Sequence, residues 1–463
     1  MKFINRDQEL QDLEKRWKSD KSELFIVYGK RRVGKTELLK QFIQKKHAVY
    51  FLADKRTMAN QLKELARLMA SAFSDPLIEK QGFGNWLDVF QYVQRNAEER
   101  FVLVVDEFPY LAEVDSATSS IFQKGWDEFL KEKNVMLVLL GSSIAMMESE
   151  ILIQKAPLFG RRTGQLPLRP LTFFGSWQFF PEKKFKEFIQ VYTITGGMPA
   201  YLLQMDTEHN VEENIKRHVF PKTEFLHNEI EFVLKEELRE PKNYLAILQA
   251  IAWGKRKLSE IVNYTSFEKS LVNKYLHTLI QLQIVERELP LIEKNPQRSR
   301  KGLYRLCDNF FRFWFQYIFP YHSDLEIQRY DEVLRKFHES FNTLTATTYE
   351  RVCREIVRTF EAGLFPFERV GKWWDKNEEI DLVALNSQTK DILFGECKWS
   401  EKQVGTNVFV ALKKKARFVD WHKTSRKDHY ILFSKSGFTP NMVELAKKDG
   451  ILLVQEDTLI HEQ

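Results

Sequence analysis

Three things are scarce in this 463-residue chain, and each scarcity excludes something. Cysteine comes to 3 residues, Cys307, Cys353 and Cys397, with no metal-ligand spacing among them. That excludes a disulfide scaffold and points to a reducing compartment. Long apolar runs are missing. Stretches such as FVLVV (101–105) and VMLVLLG (135–141) fall far short of the ~20 residues of a bilayer-spanning helix. The opening MKFINRDQEL has no apolar run and so no secretory signal. The expectation is a soluble cytoplasmic protein with no membrane partner. Composition supplies the rest: 43% hydrophobic, 29% charged and 37 Phe describe folded domains with large cores, two to four of them at this length.

Net charge is only +6, but it is unevenly placed. Between Lys235 and Arg305 there are 14 Lys and Arg against 8 Asp and Glu, an excess equal to that of the whole chain. Such local basicity suits an anionic partner, although a solvated face would look the same.

The first third carries a nucleotide motif. LFIVYG (24–29) reads as a buried strand, GKRRVGKT (29–36) follows directly, and ELLKQFIQ is helical. This is the strand, glycine loop and helix of a phosphate cradle. Gly29 and Gly34 let the backbone turn its N–H groups toward phosphate, with Lys30, Arg31, Arg32 and Val33 between them. The helix adds the positive end of its dipole. Lys35 would reach the β- and γ-phosphates, and Thr36 would offer its hydroxyl to Mg²⁺. FVLVVDE (101–107) supplies the acidic strand end: Asp106 for the magnesium shell, Glu107 to polarise the attacking water. VMLVLLGSS (135–143) is a third buried strand that would set Ser142 or Ser143 beside the phosphates if it neighbours the others. In PLFGRRTG (157–164), Arg161 and Arg162 could meet a γ-phosphate, in cis or from a neighbour in a homo-oligomer, or merely stabilise a surface turn.

FINRDQEL, YGKRRVGKT, VLVVDEF, LLGSS, GRRTG and ITGGMPAYL, in that order, resemble the prokaryotic ATPases of the AAA+/STAND type, and more narrowly the archaeal-type ATPase family. The resemblance covers roughly residues 1–235. It implies ATP as ligand, an αβα domain with a helical lid, and an adenine pocket formed partly by Asn5, Arg6 and the Gly196–Pro199 turn ending in Pro199.

The basic middle predicts three helices, 242–254, 258–265 and 267–285, then two short strands in IVERELPLI and GLYRLCDN. That order describes a winged helix, whose third helix would enter a major groove of DNA. It would offer Ser270, Asn273, Lys274 and His277 to the groove, and the wing tip would bring Arg298, Arg300 and Lys301 to phosphates. A module packed rigidly against its neighbours would have the same pattern. FFRFWFQYIFPY (310–321), aromatic on all sides, is expected to be a buried helix.

In the last third, 341–360 reads as an amphipathic helix, followed by strands FPFERVGKWW, EIDLVAL and ILFGECKW and a further α/β alternation. Glu396 and Lys398, two apart on one strand, share a face that a hairpin through NSQTKD could bring beside Asp381. Two carboxylates in reach repel unless a cation lies between them, and Mg²⁺ or Mn²⁺ favours such oxygens. Asp381, Glu396 and Lys398, preceded by a helix bearing Glu350 or its competitor Glu355, resemble the PD-(D/E)XK nuclease superfamily, with Ile380 in place of the usual Pro. The resemblance implies a restriction-endonuclease-like α/β domain with Glu350, Asp381, Glu396 and Lys398 as its site.

The expected division is therefore an ATPase core at 1–170, a lid at 171–238, a winged helix at 239–325 and a nuclease-like domain at 326–463. Two functions are open: an ATP-dependent enzyme that binds or cuts DNA with a divalent metal, or a STAND-type switch whose last domain only docks partners. A transcription regulator that takes ATP as its signal is a third.

Overall fold

The computed structural model describes residues 3–460, apart from 148–149, 152, 155, 239, 361–363 and 377. The chain forms two compact units, residues 1–171 with 198–200, and residues 172–197 with 201–463. The segment expected as a lid thus divides with the C-terminal part of the chain rather than standing alone.

The first unit is built on β1 (Glu23–Tyr28), β2 (Ala48–Leu52), β3 (Phe101–Asp106), β4 (Val135–Gly141) and β5 (Gly164–Pro167). They pair in the order β2-β3-β4-β1-β5, and every pairing is parallel. Helices cover both faces of such sheets, so central strands become apolar throughout, and β3 and β4 are buried along their whole length. Leu24, Ile26, Leu103, Val105, Leu137 and Leu139 form one layer with Trp86, Phe90, Phe108 and Phe122 from the helices. β4 lies between β1 and β3, as anticipated for VMLVLLGSS, so the ends of all three strands meet at one crevice, the position where open α/β sheets bind ligands. β2 and β5 were not anticipated. Both are short: β2 (AVYFL) is apolar but only five residues long and half-buried, and β5 (GQLP) has no apolar run.

The second unit begins with helices. Asn309–Tyr317, the aromatic helix, buries Phe310, Phe311, Phe313, Trp314, Phe315 and Tyr317. Its polar atoms are satisfied: Trp314 Nε1 donates to the His227 carbonyl (2.7 Å) and Asn309 Nδ2 to that of Tyr192 (2.7 Å). Helices Pro241–Ala252, Leu258–Thr265 and Lys269–Gln281 precede an antiparallel ribbon of β6 (Val285–Glu288) and β7 (Leu303–Leu306). Ser270, Asn273, Lys274 and His277 are exposed, as are Arg298, Arg300 and Lys301. The ribbon's loop is partly tied down. Leu291 N–H donates to the Lys372 carbonyl (2.8 Å), and Trp374 Nε1 donates to that of Lys301 (3.1 Å).

A 29-residue helix, Asp331–Thr359, then runs about 43 Å at 1.5 Å per residue. It starts ten residues before the expected 341 because DEVLRKFHES is also helical. The strands that follow are β8 (Arg369–Trp374), β9 (Glu379–Asn386), β10 (Asp391–Lys398), β11 (Lys427–Ser434), β12 (Leu452–Gln455) and β13 (Thr458–Leu459). They form a six-stranded sheet in the order β13-β12-β11-β10-β9-β8. β8, β9 and β10 are antiparallel neighbours; β11 and β12 join in parallel through crossover helices Thr406–Ala416 and Pro440–Asp449.

Candidate functional site

The phosphate loop leaves β1 at Gly29, whose φ is +157° and whose added Cβ would lie 2.3 Å from the Leu168 carbonyl oxygen. No other residue fits without moving that backbone. Gly34, at φ +93°, ends the loop at the start of helix Lys35–Ile43, with the Pro199 ring nearby. Lys35 is buried, its Nζ donating to the carbonyls of Gly29 (2.9 Å) and Lys30 (3.0 Å), which centres the ammonium in the cradle. Arg31 reaches the Tyr110 hydroxyl (2.9 Å), Arg32 is exposed at φ +68°, and Val33 is fully buried.

Thr36 Oγ1 donates to Asp106 Oδ2 at 2.8 Å, so the two oxygens expected to share a magnesium shell already adjoin. Hard, closely set oxygens at the mouth of a phosphate cradle suit that ion. Tyr50 on β2, which sequence reasoning missed, also donates to Asp106. Burial first, then the Asp106 charge, push its phenol far above the usual range. Its only sequence signal is a hydroxyl-bearing aromatic within the apolar run AVYFL, too common to single out. Glu107 sits in the left-handed region at φ +53°, which turns its carboxylate toward the end of β4. There Ser142 donates to it through Oγ (2.6 Å) and N–H (3.3 Å). A left-handed non-glycine next to a phosphate loop is the kind of strained geometry that gathers at functional sites.

Two expectations are corrected here. Arg161 does not share the crevice. Thr163 N–H donates to the Leu24 carbonyl and Gly164 pairs with Phe25, which places the Arg161–Arg162 turn at the start of β1, the opposite end from Gly29. Arg161 pairs there with Asp127 (3.1 Å), and Arg162 lies over the Phe159 ring, so a cis role for either is excluded by the length of the strand. Arg6 is not offered to a base. Its guanidinium is buried and donates to the carbonyls of Val33 (3.1 Å) and Arg169 (2.7 Å) and to Glu9 (2.8 Å), clamping the phosphate loop from behind. Asn5 and Arg6 are both left-handed, with Asn5 Oδ1 accepting from the Arg6 N–H (2.7 Å).

The second unit gathers a different set. Single oxygens of Glu350, Glu379 and Asp381 lie within 4.8 Å of one another. Glu350 comes from the long helix; Glu379 and Asp381 come from alternate positions of β9. Glu355 instead accepts from the Phe173 N–H (2.8 Å) and is not among these three carboxylates. Lys372 on β8 bridges Glu350 (2.8 Å) and Glu379. Burial, then Glu350 and Glu396, raise the Asp381 carboxyl to about 7; the Cys397 N–H (3.0 Å) and Lys372 only partly oppose this. Glu396, expected as a metal ligand, is not one of the three converging carboxylates. It is buried, and its oxygens accept from Lys398 (2.8 Å) and Lys415 (3.0 and 3.2 Å). Burial lowers the Lys398 ammonium's pKa, but Glu396 outweighs this and leaves it raised. Cys397 is buried beside Cys353 and Tyr349. Glu379 was legible, two residues before Asp381 on the same strand; Lys372 and Lys415 carry no local signal.

Residues 3–205 match the family described as an ATPase domain predominantly from Archaea, and residues 314–411 match one of archaeal and bacterial proteins of unknown function. An uncharacterised protein of Methanocaldococcus jannaschii is 34% identical over 404 residues, 86% of this chain and 88% of its own. An uncharacterised ATP-binding protein of the same organism is 52% identical over 44 residues, 10% of this chain and 75% of its own. Among solved structures, the Walker-type ATPase paby2304 of Pyrococcus abyssi is similar at a TM-score of 0.53 and 20% identity, over 68% of this chain and 96% of that one. Among the described residues no helix is long and apolar enough to cross a membrane. With its phosphate loop, acidic strand end and all-parallel sheet, the chain belongs to the P-loop ATPase family found predominantly in Archaea.

Proposed function

We propose that this protein is an ATP-dependent enzyme of DNA, in which the first unit binds and hydrolyses ATP and the second binds DNA and hydrolyses its backbone with a divalent metal. The observation that carries the DNA part is the carboxylate cluster, Glu350, Glu379 and Asp381 within 4.8 Å on a helix and an adjacent strand. Three convergent carboxylates, one held near neutrality by burial, are costly unless they serve a cation.

In the ATPase site, Lys35 takes the β- and γ-phosphates, Thr36 and Asp106 hold magnesium, and Glu107 orients the attacking water while Ser142 orients Glu107. Bound magnesium supplies charge neutralisation at the phosphates. In the second unit, Glu350, Glu379 and Asp381 would hold the cation. Lys398 would steady the attacking water or the charge that develops on the scissile phosphate. Helix Lys269–Gln281 and the loop between β6 and β7 serve as a winged helix, with Asn273, Lys274, Arg298 and Arg300 facing the duplex.

The test is divalent-dependent cleavage of linear, branched and single-stranded DNA by the full chain. Cleavage with Mg²⁺ or Mn²⁺ that falls at least about 100-fold in Asp381→Asn supports the reading. No cleavage of any form favours the alternative, an ATP-controlled switch. One observation speaks for that alternative: Lys372, Lys398 and Lys415 already pair with Glu350, Glu379 and Glu396, so the cluster is partly neutralised by the protein itself.

A further inference from the structure

The second unit also has a half-open pocket of about 790 Å³ that borders the carboxylate cluster through Glu350 and Lys372. It lies among helices Pro241–Ala252, Asn309–Tyr317 and Asp331–Thr359 and strand β7. Seven basic side chains line it against two carboxylates, Glu288 and Glu350. Each of those carboxylates already has a cation: Arg256 for Glu288 (2.8 Å), Lys372 for Glu350 (2.8 Å). The charge left over belongs to Arg305, Arg312, Arg351, Arg354 and Lys336.

These guanidiniums are poorly served by the protein. Arg305 pairs with Glu286 outside the lining, yet its buried Nη1 has no hydrogen-bond partner among the described residues, and neither has the buried Nε of Arg256. Arg351 spends Nη1 on Asn309 (2.7 Å) and Arg354 spends Nη1 on the Asp381 carbonyl (3.0 Å). Arg312 has no side-chain hydrogen bond or ion pair among the described residues. Burial first, then Arg351, Arg305 and Arg256, bring its pKa down to about 9. Arginine does not give up its proton readily, so the cluster stays charged and self-repelling. A set of forked, mutually repelling cations lining one pocket calls for an anion with several oxygens.

We propose that this cavity binds a small phosphate-bearing molecule of the nucleotide class, with its phosphates on Arg312, Arg305 and Arg351 and Lys336 at the rim. The volume is that of a small-ligand site, in the usual range of ~300–1,000 Å³. The aromatic rings of Tyr304 and Tyr321 and the apolar side chains of Ile251 and Leu344 in the same lining suit a base or sugar. Arg305, Arg312 and Arg351 come from a strand and two helices and converge on one pocket, which suits a compact anion better than the extended backbone of a duplex. The occupant would touch Glu350 and Lys372, members of the carboxylate cluster, so its charge would be felt there.

The experiment uses the full chain carrying Lys35→Ala, which disables the phosphate loop. Pyrophosphate and AMP are titrated by calorimetry, with a 5′-phosphorylated oligonucleotide as a third arm. Saturable binding of pyrophosphate and AMP, mutually competitive and weakened at least tenfold by Arg312→Gln, is expected. Arg312→Gln relieves repulsion, so its melting temperature without ligand should match or exceed that of its parent. Should it nonetheless fold poorly, Lys336→Ala at the rim must weaken binding several-fold. Absence of saturable binding, binding indifferent to both substitutions, or binding of the oligonucleotide alone would each overturn the proposal.

Discussion

The phosphate loop and the carboxylate cluster are both sites for charged oxygens, but they are made differently. The first is made from backbone. Gly29 is forced by the Leu168 carbonyl, Glu107 is turned by its own φ, and Lys35 is held by two loop carbonyls. Its donors come from one continuous stretch, and its geometry survives many side-chain changes. The second is made from side chains on five separate elements, balanced by three lysines against four carboxylates. A backbone site is committed to one ligand class. A side-chain site can keep its fold and lose its chemistry, or exchange one cation for another.

The sharpest way to break this comparison is at Lys35. Lys35→Ala should abolish ATP binding and lower hydrolysis by at least about 100-fold, read by nucleotide titration and phosphate release. Glu107→Gln should separate the two steps, retaining ATP affinity while hydrolysis falls on the order of 100-fold. If Glu107→Gln hydrolyses like the parent, the carboxylate facing Ser142 is structural.

Asp381 tests the other side. Its folded pKa is raised, so between about pH 4 and 7 the folded state keeps a proton that the unfolded chain has lost. Without metal, stability is fullest at the acid end of that window and falls as pH rises to 7. The loss should be on the order of 1–2 kcal/mol once its partial exposure is allowed for. Asp381→Asn should flatten that slope in pH-dependent melting, and millimolar Mn²⁺ should offset it in the parent at pH 7. A slope that persists in Asp381→Asn assigns the effect elsewhere.

The smallest effect is expected at the loop between β6 and β7. Neutralising Arg298, Arg300 and Lys301 should reduce the salt dependence of DNA binding by a slope of up to about 2–3, with folding unchanged. An unchanged slope would remove the loop from the interface and leave it as the packing element that its bonds to Lys372 and Trp374 also describe.

Legibility followed the same division. GKRRVGKT and FVLVVDE were readable because their chemistry depends on neighbours in sequence, and VMLVLLG was readable because a strand buried on both faces is apolar throughout. β2, β5 and Tyr50 were not, since strands of five and four residues are too short to show a period of their own. Asp381 was picked out as a charge opening an apolar strand, and Glu350, beside its competitor Glu355, only by the resemblance to a nuclease motif. The preference of Glu396 for Lys398 and Lys415 was not, because Lys415 is nineteen residues away on a helix whose other lysines look identical.

By itself, then, the sequence determined a nucleotide loop, its acidic partner and the order of the elements that follow, because each rests on local backbone geometry or on hydrophobic period. Only the tertiary structure decided how charge is shared. It sent Arg161 to the far end of β1, turned Arg6 into a clamp on the phosphate loop, brought Glu379 into the carboxylate cluster and gathered the arginines around one pocket. Coulomb interactions depend on distances between residues far apart in the chain, and those distances exist only after folding.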